Sequence, residues 1–120
     1  MINLDYEKIC DEVLDADTKI RYVGVYDYGE LYDKMRQGLK SHLTREETEM
    51  SLSHAIYRWS TRKKTSEKIG NPMFAITKYE KIFRLTVPIG GAGLILISTE
   101  LDANVLVIVE KILEIKNKYS

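Results

Sequence analysis

Four consecutive apolar residues near the end of the chain constrain the fold more than any other feature of the sequence. Residues 94–97 are Leu-Ile-Leu-Ile, and they lie between Gly93 and Ser98. Alternate residues of a β-strand point to opposite faces of its sheet, so this strand is apolar on both faces. We therefore expect it to be central in its sheet, with cover on both sides. The sequence predicts a layered α/β fold.

Other segments have the alternation or the β-branched and aromatic content of strands. Phe83, Leu85, Val87 and Ile89 point one way, with Arg84 and Thr86 on the other, wetter face. The predicted strands are 20–27, 31–35, 73–79, 82–89 and 94–99. Asp27-Tyr28-Gly29-Glu30 predicts a tight hairpin turn between the first two strands, and short connections make a meander of the last three.

Apolar residues at helical spacing predict two amphipathic helices at the ends of the chain. The first covers 4–16, with Asn3 as its candidate cap. The last follows Asp102 as its cap and ends in the polar segment 116–120. Its stripe is Val105, Ile108, Val109, Ile112 and Ile115.

A longer helix is predicted in the middle of the chain. Thr44 and Glu47 match a capping box at its start, and Gly70-Asn71-Pro72 ends it after about Ile69. Its apolar stripe is Leu52, Ala55, Ile56 and Trp59, with Met50 and Tyr57 beside it. No internal repeat or linker interrupts these elements, so we expect residues 1–120 to form a single domain.

The composition of the chain indicates its cellular compartment. The 120 residues carry a net charge of zero, and the lone Cys10 cannot form an internal disulfide, which suits a reducing cytoplasm. The early acidic residues do not match a signal peptide, and no apolar run has the length of a spanning helix. We therefore expect a cytoplasmic protein without a membrane segment.

Candidate catalytic and cofactor motifs fail on their context. Gly90-Gly91-Ala92-Gly93 precedes a strand and lacks the Lys and Ser/Thr of a phosphate loop, so a hairpin loop is favoured. His42 and His54 have no metal-site spacing, and Cys10 falls on an apolar stripe. The sequence predicts no enzyme, no metal and no cofactor.

Two binding hypotheses stay open at this level. A basic segment at the end of the long helix is a candidate polyanion patch, although the neutral total charge disfavours nucleic acid. Its residues are Arg58, Arg62, Lys63, Lys64 and Lys68. Tyrosines that are more often core residues could instead line the pocket of a PAS-like or profilin-like small-ligand sensor, between sheet and helix. They are Tyr22, Tyr26, Tyr28, Tyr32 and Tyr57.

The order of the elements resembles the Roadblock family of dynein-light-chain-like proteins, whose sandwich is related to profilin. Four motifs spread over nearly the whole chain also resemble a family of small archaeal proteins with no assigned function. These motifs are Lys19-Ile-Arg-Tyr-Val-Gly-Val25, Tyr79-Glu-Lys-Ile82, Thr86-Val-Pro-Ile-Gly90 and Leu96-Ile-Ser-Thr-Glu-Leu-Asp102.

The resemblance implies an α+β sandwich with a five-stranded antiparallel sheet. It places the last strand beside the first, the terminal helices on one face and the long middle helix on the other. Roadblock-like proteins commonly serve as dimeric scaffolds and regulators of small GTPases, although a shared fold does not transfer a function. The sequence is accordingly interpreted as a non-enzymatic protein–protein interaction module.

A homodimer is expected from one edge of this sheet. The strand 73–79 has a free edge in the Roadblock fold, and such an edge tends to pair with another chain. The predicted interface comprises Leu52, Ile56 and Trp59 of the long helix and Phe74, Ala75 and Ile76 of the strand. Ala75→Pro would test this interface if the Ala75 N–H faces the free edge.

Overall fold

The computed structural model describes residues 5–119 in nine elements, and most of them follow the predicted order. The elements are α1 (Tyr6–Ala16), β1 (Ile20–Asp27), β2 (Glu30–Met35), α2 (Arg45–Lys63), α3 (Ser66–Ile69), β3 (Ala75–Lys78), β4 (Phe83–Ile89), β5 (Gly93–Thr99) and α4 (Val105–Tyr119). Two compact units contain them. One unit runs to Leu39 and resumes at Phe74, and the other is Lys40–Met73. The expectation of a single domain stays a prediction.

The first unit contains one five-stranded antiparallel sheet in the order β2-β1-β5-β4-β3. Val25 lies opposite Ile95, so the last strand pairs with the first, and Val87 lies opposite Ile95 on the other side. Both predictions for β5 are confirmed: the strand is central, and Leu94 to Ile97 are buried on both faces.

One face of the sheet carries the main core and both terminal helices. Ile9, Cys10 and Val13 of α1 pack in one buried cluster with apolar residues of β1, β4 and β5. The buried residues of α4 join the same cluster, and they are Ile108, Val109, Ile112 and Ile115. The predicted stripe of α4 is therefore correct, with Val105 partly buried at its start.

The opposite face of the sheet is drier than the sequence predicts. Thr86 was expected on a wetter side of β4, but it is buried, and its register partner on β5 is Leu96. A threonine can take such a position because its methyl group packs with apolar neighbours. Leu85, Val87 and Ile89 lie in the core cluster as predicted, whereas Phe83, at the start of β4, is half-buried and outside that cluster.

The hairpin between β1 and β2 has the predicted two-residue turn. Asp27 pairs with Glu30, and the backbone of both Tyr28 and Gly29 has positive φ, at 51° and 80°. This is the geometry of a turn whose twist matches that of the flanking strands. Glycine adopts it readily, whereas Tyr28 does so at some cost in backbone strain.

The predicted caps of the terminal helices do not match the observed ones. Asn3 lies outside the described residues, and the Asp5 side chain accepts a hydrogen bond from the Lys8 N–H at the start of α1. The prediction of Asp102 as the cap of α4 is wrong. Asn104 Oδ1 accepts from the Val107 N–H at 3.4 Å, since a capping side chain must directly precede the first turn. Asp102 instead forms an ion pair with Lys19.

The long helix of the second unit begins as predicted and ends early. The Thr44 and Glu47 side chains form the complete capping box. The helix stops at Lys63 rather than near Ile69, because the Ser66 hydroxyl donates to the Lys63 carbonyl at 2.6 Å and the Thr65 hydroxyl donates to the Arg62 carbonyl. Such local bonds satisfy the last carbonyls of a helix and compete with its continuation.

Strand β3 is shorter than the predicted 73–79. Its register pairs Ala75 with Thr86 and ends with Lys78 opposite Phe83. Continuing that register would place Met73 opposite Pro88, which has no N–H to donate to the ladder. The strand therefore begins only at Ala75.

Candidate functional site

The outer edge of β3 is the first candidate interaction surface. β3 stands last in the strand order and pairs only with β4 among the described strands. The strand is four residues long, and the backbone groups on its outer side face away from the sheet. An unpaired strand edge is a template for pairing with another chain unless side chains or a bulge protect it.

The hydrogen bonding of β3 determines which backbone groups face outward. The Tyr79 N–H donates to the Ile82 carbonyl at 2.8 Å, so this pair belongs to the hydrogen-bonded set of the ladder. Bonded and non-bonded pairs alternate along antiparallel strands. Ala75 and Thr77 therefore direct their N–H groups toward β4, and Ile76 and Lys78 direct theirs outward. The condition attached to Ala75→Pro is not met.

The three predicted strand residues of the dimer interface lie together at this edge. Phe74 is 40% exposed, Ala75 is half-buried, and Ile76 packs against the core cluster. Lys78, the only charged residue of β3, lies over the Phe83 ring at 5.6 Å from the ring centre. A single lysine that contacts a neighbouring aromatic ring gives the strand edge little protection against pairing with another strand.

The outward face of α2 is the second candidate surface, and it belongs to the other unit. Leu52 and Trp59 are buried within the chain, and Ile56 is half-buried. Met50 and Tyr57, one side of the predicted stripe, are instead exposed, Tyr57 to 73%. Their seven-residue spacing puts them on one helix face, which is the signal the sequence offers for an outward apolar stripe. As interface residues, Leu52, Ile56 and Trp59 stay predictions.

The predicted polyanion residues lie at the end of the second unit, and all five are exposed. Arg62 lies over the Trp59 ring, 5.8 Å from the ring centre. Lys63 and Lys64 end α2, and Lys68 lies on the single turn of α3. The structure thus brings the five charges into one short stretch of chain.

Among the candidate catalytic motifs, the glycine-rich segment is part of a hairpin, as predicted. Gly90 to Ala92 connect β4 to β5, and Gly90 has a φ of 63°. Cys10 is buried beside the Tyr32 carbonyl, and burial raises the pKa of its thiol to about 12. A thiol in that state is inert as a nucleophile.

Neither histidine has a structural context that favours chemistry. His42 and His54 are both exposed. Within residues 5–119, no group of three His, Cys, Asp or Glu side chains is arranged to hold a metal ion. The absence of an activity, a metal and a cofactor remains a prediction.

The tyrosines of the ligand-sensor hypothesis have different surroundings. The Tyr22 hydroxyl donates to Asp33 Oδ2 at 2.9 Å, whereas Tyr28 and Tyr57 are exposed. The sensor hypothesis stays a prediction, and the tyrosines alone do not identify a small ligand.

No helix in the described part of the chain is long and apolar enough to cross a membrane.

The chain is similar to known proteins in structure but not detectably in sequence. No family model matches the sequence, and no curated protein is detectably similar to it. A Roadblock/LC7 domain from Streptomyces avermitilis superposes with a TM-score of 0.73 at 8% identity, over 98% of this chain and 94% of that one. MglB of Myxococcus xanthus gives a TM-score of 0.69 at 13% identity, over 98% and 89% of the two chains.

A third solved structure, the gliding protein MglB of Thermus thermophilus, gives a TM-score of 0.66 at 14% identity. It covers 98% of this chain and 95% of that one. At these identities the likenesses show the fold. The motif resemblance to small archaeal proteins is not tested by them and stays a prediction.

Proposed function

We propose, from the Roadblock/LC7 fold of this chain, that it is a non-enzymatic homodimeric scaffold in the cytoplasm that regulates a small GTPase. The observation that carries the proposal is the unpaired outer edge of β3, one of the two edge strands of the sheet. The resemblance to Roadblock proteins supports the role, because dimeric regulation of small GTPases is common among them.

The edge of β3 favours pairing with a second copy of the chain. The outward N–H and carbonyl groups of Ile76 and Lys78 can bond to water or to a second strand, and a second strand pairs them in a regular ladder. Antiparallel pairing of two β3 strands about a two-fold axis places these outward residues opposite each other. The result is a contact in which both copies use the same surface, the commonest arrangement in homo-oligomers.

The outward stripe of α2 supports association independently. Met50 and Tyr57 expose large apolar side chains on one helix face. Exposed apolar residues grouped on one face are typical of interaction surfaces. One of the similar solved structures is described as MglB with a tetrameric arrangement, and it covers all of this chain at 13% identity. Association of this chain would double the surface offered to a partner protein.

Removing a single outward N–H tests the dimer. We expect light scattering to give a mass near twice 13.9 kDa for the wild type and for Lys78→Ala, which keeps the backbone donor. Lys78→Pro removes that donor and should shift the protein toward monomer with an unchanged circular dichroism spectrum. A wild-type monomer at high micromolar concentration refutes the dimer, and a folded, dimeric Lys78→Pro variant moves the interface away from β3.

The regulatory role needs a second experiment. The tagged wild type is used to capture proteins from extracts of its host loaded with a non-hydrolysable GTP analogue or with GDP. We expect a small GTPase among the bound proteins, and the purified pair should show an altered rate of GTP hydrolysis or nucleotide release. The Lys78→Pro variant is the control for the dimer. A purified GTPase whose rates do not respond to the wild type contradicts the proposal.

A further inference from the structure

The basic residues of the first unit are mostly paired within the chain. Lys19 forms an ion pair with Asp102 at 2.7 Å, and Lys118 forms one with Glu12 at 3.1 Å. Ion pairs also join Arg21 to Glu100 and Lys34 to Asp11. The Arg36 guanidinium donates to three backbone carbonyls instead. These basic residues are therefore largely neutralised within the chain and create little positive potential that could attract a partner.

The end of the second unit is different. Here we define the basic end as Arg58, Arg62, Lys63, Lys64, Lys68 and Ile69. Only one acidic residue, Glu67, lies between Arg58 and Ile69. None of the ion pairs found within residues 5–119 involves Lys63, Lys64 or Lys68. The basic end thus carries an uncompensated positive charge.

An apolar side chain stands in the middle of this charge. Ile69, the last residue of α3, is 82% exposed, the highest value among the large apolar residues described. Gly70 follows it with a φ of 91°, which ends the helical turn directly after Ile69. Lysines at 63, 64 and 68 and an exposed isoleucine at 69 therefore share one surface segment of the chain.

We propose that the basic end docks on the surface of an anionic lipid bilayer, with its lysines at the headgroups and Ile69 inserted among the acyl chains. Clusters of four or more basic residues are attracted to the negative potential of such surfaces. An exposed aliphatic side chain adds a hydrophobic contribution that headgroup attraction alone does not supply.

Two other occupants fit the observations less well. A second copy of this chain could match the lysines with acidic side chains, but two of those on α1, Asp11 and Glu12, are already paired with Lys34 and Lys118, and such a contact gives Ile69 no apolar partner. Nucleic acid would match the lysines, but its phosphates give Ile69 no contact. A bilayer matches both the charge and the exposed isoleucine.

Vesicle co-sedimentation of the full chain tests the proposal. The probes are vesicles of phosphatidylcholine with and without phosphatidylserine. We expect binding only with phosphatidylserine, and weaker binding at high salt. Lys64→Gln with Lys68→Gln should lower the partition coefficient by about 25-fold, at roughly fivefold for each charge. Lys8→Gln with Lys81→Gln, an equal loss of charge at exposed positions elsewhere, should leave it within twofold of wild type.

Ile69→Ser separates a bilayer from other polyanions. The variant keeps every charge and should lower vesicle binding by about tenfold, because the inserted apolar surface is lost. A bilayer site is refuted if wild-type protein does not sediment with phosphatidylserine vesicles. It is also refuted if Ile69→Ser binds vesicles as well as wild type, because charge alone would then account for the binding.

Discussion

The Cα of Gly93 lies so close to Tyr26 that a Cβ atom on Gly93 would be 3.0 Å from the Tyr26 carbonyl oxygen. The same Cβ would be 2.9 Å from the Ile89 carbonyl oxygen. Both atoms are backbone, so neither can move aside without distorting a strand. Gly93 thus lets β5 start between two neighbouring strands at the closed end of the β4–β5 hairpin.

Gly93→Ala should lower the free energy of unfolding by about 2–3 kcal/mol, as close contacts with fixed backbone atoms do. Gly91→Ala is the matched control, because a Cβ at Gly91 meets nothing within 4 Å. We expect the control to change stability by less than about 0.5 kcal/mol. Urea unfolding followed by circular dichroism measures both. Equal effects of the two substitutions would contradict the packing argument for Gly93.

Arg36 should be a larger contributor to stability than its position near the surface implies. Its guanidinium donates to the Leu14, Asp17 and Ile20 carbonyls at 2.6 to 2.8 Å. The Leu14 carbonyl lies near the end of α1, where helical carbonyls lack partners. Arg36→Gln should cost about 2 kcal/mol and Arg36→Lys less, since a single ammonium cannot reach all three oxygens.

Urea unfolding measures the Arg36 variants, with Gln37→Ala as the control at the neighbouring exposed position. The control should be close to wild type. If Arg36→Gln proves as stable as Gln37→Ala, the three hydrogen bonds contribute no net stability to the junction of α1 with β1.

The Cys10 thiol should resist alkylation in the folded protein. Burial raises its pKa to about 12, so almost no thiolate exists at pH 8, and the side chain is enclosed in the core. We expect no modification by iodoacetamide in native buffer and complete modification in denaturant, counted by mass spectrometry. Modification at the same rate in both conditions would show that α1 leaves the core readily.

The contact between Glu12 and Tyr119 should make stability depend on acid pH. The Tyr119 hydroxyl donates to Glu12 Oε2 at 2.6 Å and, with Lys118, lowers the pKa of Glu12 below its ordinary value of 4.5. A carboxyl whose pKa is lowered in the folded state contributes its full stability at pH values above its ordinary, unfolded-state pKa. The contribution is lost as the pH falls through the folded-state pKa.

Glu12→Gln should therefore destabilise the protein above pH 4.5, and its difference from wild type should shrink at lower pH. Denaturant unfolding at a series of pH values measures this difference. Tyr119→Phe removes the principal hydrogen bond and should give the same trend. A difference between wild type and Glu12→Gln that does not change with pH would contradict the linkage.

Much of the first unit was predictable because its signals are local. β1 has the predicted bounds, Ile20–Asp27, and the apolar faces of β5 indicated its central place. The Thr44 capping box was predictable for the same reason, since its two partners are three residues apart. Each of these features depends on a few neighbouring residues and on no distant contact.

The wrong predictions concern features for which the sequence offers more than one equally good candidate. Contacts between residues distant in sequence decide which candidate is realised. Asp102 and Asn104 both have cap-forming side chains, and the ion pair with Lys19, distant in sequence, takes Asp102 away. The start of β3 depends on Pro88, which the observed register, continued beyond Ala75 and Thr86, would place opposite Met73 and which is distant from it in sequence. The exposure of Tyr57 depends on which side of α2 is covered, and periodicity does not determine that for a broad stripe.

The pairing of β1 with β5 has a consequence for how the protein is made. Tyr26 meets Leu94, so the central ladder joins strands from opposite ends of the chain, and all of Lys40–Met73 lies within the loop that it closes. Contacts of such long range slow folding. During synthesis, α1 and the β1–β2 hairpin leave the ribosome before β5 and α4, so the core around Val23 and Val25 is only partly covered until those later elements arrive. Apolar surface and strand edges that stay exposed in that interval make a partly folded chain prone to aggregation.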